Sequence, residues 1–286
     1  VGASADPREM SGLAHFCEHM CFLGSEKYPG ENEYKRYLAS HGGRSNASTS
    51  MHVTNYKFEI IADHAEKAVD IFSNFFVAPL FTSSGTEREV QAVNSENSKN
   101  LTADGRRRLQ ILKDIADPLH YYSKFSTGNK ETLPTDDPEK LKTIREALLC
   151  FHKRHYRPEK MTVVIAGPQS IETLEQWVGE RYSTIVPNAS LDGNTDTEAT
   201  VINGFQVEEL VAKAAEDVPP YAFDDPAPPY NPAFKASLLQ NEENVEGSPW
   251  PVLLTTQPLR SMRKLNMMFP IPSDRKTPDQ SPSTML

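Results

Sequence analysis

The stretch Gly12-Leu13-Ala14-His15-Phe16-Cys17-Glu18-His19-Met20-Cys21-Phe22-Leu23 consists of good helix formers without a proline, and Gly24 behind it is a natural stop. A helix is therefore expected from Pro7 to Leu23. A second helix follows from Glu31 to His41, closed by Gly42-Gly43. Between Arg44 and Ala62 the period changes. Val53, Tyr56, Phe58 and Ile60 lie among Thr, Asn and Lys in a β-branched and aromatic stretch, which predicts strands. Ala65, Ala68, Val69, Phe72, Phe75 and Phe76 then recur at helical spacing, so His64 to Val77 reads as an amphipathic helix that stops before Pro79 and covers the sheet.

Further along, Glu87 to Leu101 and Asp136 to His155 are helix candidates, Met161 to Ala166 reads as a buried strand closed by Gly167-Pro168, and Ile171 to Tyr182 as a helix returning over it. Helices and strands mixed in this order predict an α+β unit over residues 1–185, with a mainly antiparallel sheet packed by helices. From 186 to 257 the prolines Pro219-Pro220, Pro226, Pro228-Pro229 and Pro232 sit among acidic residues, and this segment is expected to be a flexible linker. Residues 258–286 would begin a second unit, with a strand from Leu265 to Ile271 and a disordered ending from Asp274.

Composition narrows the function classes. A formal charge of −9 over 286 residues leaves no basic stripe for a nucleic acid, since Arg106-Arg107-Arg108 spreads over a solvated face when helical. No apolar run approaches the roughly 20 residues that span a bilayer, and the first residues lack signal-peptide character, so neither membrane nor secretion is expected. Three cysteines argue against a disulfide framework and for a reducing, cytoplasmic setting.

The chemistry starts at His15 and His19. Four residues apart on a helix, they differ by about 40° and stand one turn above each other, while Glu18 lies about 60° to the other side of His15. All three side chains fall within an arc of about 100° and address one cleft. This is H-x-x-E-H, in which two neutral imidazoles hold zinc and the glutamate acts as base. The same spacing arises by chance in a pair of surface histidines, so context has to decide. Cys17 and Cys21 lie on the opposite side of the helix, where they read as small buried packing residues, as does Cys150. A catalytic zinc needs a third protein ligand and an open position for water. The acidic helix supplies Glu89 and Glu96, seven apart, which face the same way but stand about 10.5 Å apart along the axis. Spacing alone leaves open which of them serves.

Gly12 to Met20, Phe22-Leu23-Gly24-Ser25, Lys27-Tyr28-Pro29 and Glu31-Asn32-Glu33-Tyr34 closely resemble the insulysin branch of the inverzincin metallopeptidases. Further landmarks follow in the same order: Ser45 to Thr49, Thr54-Asn55-Tyr56, Arg88 to Val93, Ser95-Glu96, Ser123-Lys124-Phe125 and Thr127 to Lys130. The resemblance is dense from Gly2 to Tyr182 and resumes at Arg260 to Leu265 and Phe269 to Pro272. It implies a zinc endopeptidase of short unfolded peptides, with His15, His19 and Glu96 as ligands to one Zn²⁺, Glu18 as base, and Glu89 supporting the site without touching the metal. It also implies that Ser45, Asn46, Ala47, Ser48 and Thr49 form the edge strand on which a peptide pairs, although Ser48 stands where an aromatic residue is expected. Family members have four related units in two halves. This chain is expected to hold the first unit and the opening of the second, so that the missing half or a homologous subunit would be a partner. The rival reading is a truncated homologue that binds zinc and peptides without cutting them. A processing-peptidase subunit fits the landmarks around Tyr28-Pro29 and Phe125 to Lys130 less well.

Overall fold

The computed structural model describes residues 1–116, 118, 120–185, 201–202, 205–216 and 258–259. Two short 3-10 turns, Ala3–Ala5 and Arg8–Met10, precede the first helix, α1 (Leu13–Cys21). The helix expected from Pro7 thus begins six residues later, because Gly12 at φ 94° is left-handed and cannot lie inside a right-handed helix. α2 (Glu33–Ser40) leads into the antiparallel hairpin of β1 (Arg44–Thr49) and β2 (Thr54–Glu59), paired from Arg44 opposite Glu59 to Thr49 opposite Thr54. Burial alternates residue by residue in both strands, as expected of a ribbon with one face on the core.

α3 (Ala65–Val77) presents Ala68, Val69, Phe75 and Phe76 inward, which is the face its spacing predicts. α4 (Ser83–Leu101) starts a turn earlier than expected, because the Thr82 side chain caps it by accepting from the Gly85 amide. α5 (Asp104–Asp114) carries the arginine run and was not delimited in the sequence. In α6 (Pro138–His155) Pro138 opens the helix and Asp137 accepts from the Glu139 and Lys140 amides. α7 (Ile171–Tyr182) is capped by Ser170.

Two expectations are corrected here. The run from Met161 to Ala166 has no regular secondary structure and no strand partner among the described residues, and Val164 is 87% exposed. A strand is defined by what lies beside it, and periodicity cannot supply the neighbour. Second, part of the expected linker has regular structure. β3 (Val201–Ile202) pairs with β4 (Phe205–Gln206), and α8 (Val207–Glu216) buries Val207, Leu210, Val211 and Ala214, with Val207 and Val211 joining the main core. The proline-rich remainder of 186–257, the strand expected at Leu265 to Ile271 and the ending from Asp274 lie outside the described residues.

The core forms around α1. Leu13, Phe16, Cys17, Met20 and Cys21 are fully buried, as are Val90 and Val93 of α4 and Leu148 and Phe151 of α6. An aromatic cluster of Phe22, Tyr34, Phe58, Phe72 and Phe75, with ring centroids 4.9 to 6.4 Å apart, fills the space between α1, α2, α3 and β2. Burying both cysteines turns the other face of α1, with His15, Glu18 and His19, towards the groove between α4 and β1. At the start of α1 the backbone of Gly12 abuts that of Gly128, where an added Cβ would stand 2.3 Å from the Gly128 Cα. Only two glycines allow this crossing, and it brings residues 124–128 against the first turn of α1.

Candidate metal centre and peptide cleft

The two histidines of α1 are oriented through their Nδ1 atoms. His15 Nδ1 donates to the Thr127 carbonyl at 2.7 Å, and His19 Nδ1 donates to Glu89 Oε1 at 2.8 Å. Each Nδ1–H committed this way leaves Nε2 with a free lone pair. Those two Nε2 atoms face each other at 3.2 Å, and Glu96 Oε2 stands 3.5 Å from the first and 3.6 Å from the second. Three electron-pair donors at mutual contact repel one another unless a proton or a cation lies between them. A tetrahedral ion with bonds of about 2.0–2.1 Å sets its donors about 3.3–3.4 Å apart, so the triangle has the size a zinc ion requires. Among the described residues His15, His19 and Glu96 are the one group of three or more His, Cys, Asp or Glu side chains with ligand atoms this close, all within 4.8 Å of one another.

The charges respond to this crowding. Burial pulls the His19 imidazole down, but the carboxylates of Glu89 and Glu96 outweigh it and raise the group to about 9. Glu96 is held below the usual carboxylate range, first by its contact with His19 and then against the opposing effect of burial. Without a metal, a proton on His19 relieves the lone-pair conflict.

The structure resolves how two glutamates seven residues apart relate to one site. His19 lies between them, with Glu89 on its Nδ1 side and Glu96 on its Nε2 side. Glu18, buried at 6% exposure, lies on the same helix face, and the Thr49 hydroxyl donates to its Oε2 at 2.5 Å. A cleft of about 480 Å³ opens over these groups. Ser45, Asn46, Ala47, Ser48 and Thr49 all line one wall, so the strand singled out in the sequence runs alongside the donor triangle. Cys17 and Cys21 are fully buried behind α1, as their helical angle predicts, and all three cysteines are free thiols.

Sequence reasoning missed three participants. Thr127 orients His15 through its backbone, which no side-chain pattern reveals. Thr49 was named as a peptide-pairing residue, and its hydroxyl proves to hold Glu18. Arg106, assigned to a solvated face, lines the cleft beside Glu96, and its position in the arginine run gave no sign of this.

Two imidazole Nε2 atoms and a distant carboxylate converging beside a buried glutamate, all from an H-x-x-E-H helix, place the molecule with the H-x-x-E-H class of metal-site proteins. Comparison with known proteins gives the family. The insulinase family, peptidase family M16, matches residues 1–119, and the M16 inactive domain matches residues 143–286. The chain belongs to peptidase family M16. It is 47% identical over 188 residues to the A-factor-processing enzyme of Saccharomyces cerevisiae, covering 66% of this chain and 18% of that one. It is 49% identical over 185 residues to the insulin-degrading enzyme of Drosophila melanogaster, covering 65% of this chain and 19% of that one. The crystal structure of pitrilysin superposes with a TM-score of 0.62 at 34% identity, over 69% of this chain and 21% of that chain. The fold is thus pitrilysin-like, and the chain spans about a fifth of the length of these relatives.

Proposed function

We propose that this chain carries the active centre of a zinc-dependent endopeptidase acting on short, unfolded peptides. The observation that carries the reading is the convergence of His15 Nε2, His19 Nε2 and Glu96 Oε2 beside Glu18. His15, His19 and Glu96 would hold a zinc ion there, which would supply a more acidic bound water and a Lewis acid for the scissile carbonyl. Glu18 accepts the proton of the attacking water and returns it to the leaving amine. The Thr49 hydroxyl fixes Oε2 of Glu18, and no other described side chain hydrogen-bonds this carboxylate. Glu89 and the Thr127 carbonyl keep the two imidazoles in the tautomer that offers Nε2. An extended peptide adds alongside β1, where main-chain pairing supplies affinity and the chain direction brings the scissile bond over α1.

In this reading the remaining substrate contacts come from a second half of a full-length enzyme or from a homologous subunit, because orientation and exclusion of water need walls on both sides of the peptide. A cytoplasmic setting accords with three free thiols. A non-catalytic zinc- and peptide-binding homologue is the second reading, since the donor triangle would hold a metal whether or not a bound peptide is cut. Turnover of a quenched fluorescent peptide separates the two. The enzyme reading expects zinc-dependent cleavage that Glu18→Gln abolishes while the metal stays bound. Zinc binding without turnover, even with a relative's second half added, would establish the non-catalytic reading instead.

A further inference from the structure

Three charged side chains are buried beside the metal-binding face and take no part in the chemistry proposed above. Asp6 is fully buried, Lys113 is 4% exposed and Lys124 is 7% exposed. Burying an ammonium or a carboxylate costs several kcal/mol, and apolar side chains of similar size would fill the same space at less cost. Their bonds form one chain through the structure. Lys113, on α5, donates through Nζ to the Lys124 carbonyl at 2.9 Å and to Ser126 Oγ at 2.9 Å. Lys124 Nζ donates to the Ser4 carbonyl at 2.6 Å and to the Asp6 carbonyl at 2.7 Å. The Asp6 carboxylate accepts from the Gly12 amide at 2.8 Å and from the Ala14 amide at 2.7 Å, and so caps α1 from a distance.

The two ends of this chain meet at one imidazole. His15 follows Ala14 directly, and its Nδ1 is held by the carbonyl of Thr127, one residue beyond Ser126. The close Gly12–Gly128 crossing sits between the same two segments. Burial pushes the Asp6 carboxyl up to about 7 against the pull of the Ala14 and Gly12 amides and the lysines, and it lowers the Lys113 ammonium to about 8. Burial thus favours the neutral form of both groups, and the hydrogen bonds and opposite charges around them work against it.

We propose that Asp6, Lys113 and Lys124 are positioning residues, which lock the 124–127 strap to the first turn of α1 so that the Thr127 carbonyl aims His15 Nε2 at the metal position. The proposal rests on the metal-centre reading above. His15 is the ligand whose orienting partner is a loop carbonyl, and a carbonyl on a loop aims an imidazole only as well as the loop is held. Glu89, which orients His19, sits on a 19-residue helix and needs no comparable brace.

The test is metal affinity of the whole folded chain, measured with Co²⁺ and Zn²⁺ against a chelator. Lys124→Met removes the ammonium and keeps the side-chain length. It is expected to weaken Co²⁺ and Zn²⁺ binding by about 10–100-fold, the usual consequence of losing an outer partner of a ligand, and to alter the visible spectrum of the Co²⁺ form. Leu148→Ala, a truncation in the fully buried core of α6 that touches none of these bonds, lowers the melting temperature but leaves affinity within about threefold. This pairing separates positioning from general destabilisation. If Lys124→Met fails to fold, Lys113→Met carries the same thresholds, since it breaks the two outer bonds and leaves those of Lys124 in place. A folded variant that binds both metals within threefold of the parent overturns the proposal. A parent chain that binds neither metal overturns the metal-centre reading, and the positioning role with it.

Discussion

Replacing Glu89 and Glu96 one at a time by alanine should weaken zinc binding to different degrees, because the two carboxylates meet His19 on opposite nitrogens. Glu89 Oε1 lies 2.8 Å from Nδ1 and is not one of the three donors that converge within 4.8 Å of one another. Its loss frees the imidazole to rotate and to change tautomer, which costs about 10–100-fold in affinity, or about 1.4–2.7 kcal/mol. Glu96 Oε2 lies 3.5 and 3.6 Å from the two Nε2 atoms and is itself a corner of the triangle. Without it two imidazoles remain where a catalytic zinc needs three protein ligands, so the loss should exceed the 100-fold ceiling expected for Glu89. Glu89→Gln retains an oxygen that accepts from Nδ1–H and should fall within about tenfold of the parent. Chelator competition at pH 7.5 on metal-stripped protein gives the affinities, and thermal unfolding of the metal-free forms shows whether each variant is folded. If Glu89→Ala abolishes binding while Glu96→Ala binds like the parent, the roles are reversed and the geometric reasoning is wrong.

His155 gives a pH prediction. Burial lowers it to about 3, and its Nε2 has no hydrogen-bond partner among the described residues. A histidine held neutral contributes stability that is fully present above its unfolded value near 6.5 and is lost as pH falls from there towards 3; at pH 5 the loss is about 2 kcal/mol. His155→Leu should therefore reduce the difference in urea stability between pH 7.5 and pH 5 by about that amount, and an unchanged difference would mean that the histidine is not buried neutral. Thr49→Val removes the hydroxyl that Glu18 accepts from at 2.5 Å and should cost about 1.5–3 kcal/mol as a lost bond to a charged group, whereas Thr49→Ser should recover most of it; equal melting temperatures for the Val and Ser variants would count against the contact. Phe151→Ala, at a fully buried position in α6, should cost about 3–5 kcal/mol, and a loss under 1 kcal/mol by urea unfolding would show that the core around α1 does not close as described.

What the sequence alone determined is local and periodic. The four-residue spacing of His15 and His19 puts both on one helical face, with Cys17 and Cys21 behind them, whatever the rest of the chain does, because the α-helical repeat is fixed. The same repeat put Ala68, Phe75 and Phe76 on one face of α3, and the β-branched and aromatic content between Arg44 and Ala62 predicted strands there. Family resemblance added Glu96 as a ligand, which the spacing of Glu89 and Glu96 could not choose, since both point the same way from α4. Only the tertiary structure decided which carboxylate meets which nitrogen of His19, because that depends on how far α4 slides along α1. It also decided that a carbonyl 112 residues away orients His15, that Thr49 holds Glu18, and that Arg106 faces the cleft. These are contacts between segments distant in sequence, and no period within one segment encodes its position against another. The run from Met161 to Ala166 shows the converse: its residues favour a strand, but a strand also needs a neighbour at hydrogen-bonding distance, and that is a property of the assembled fold.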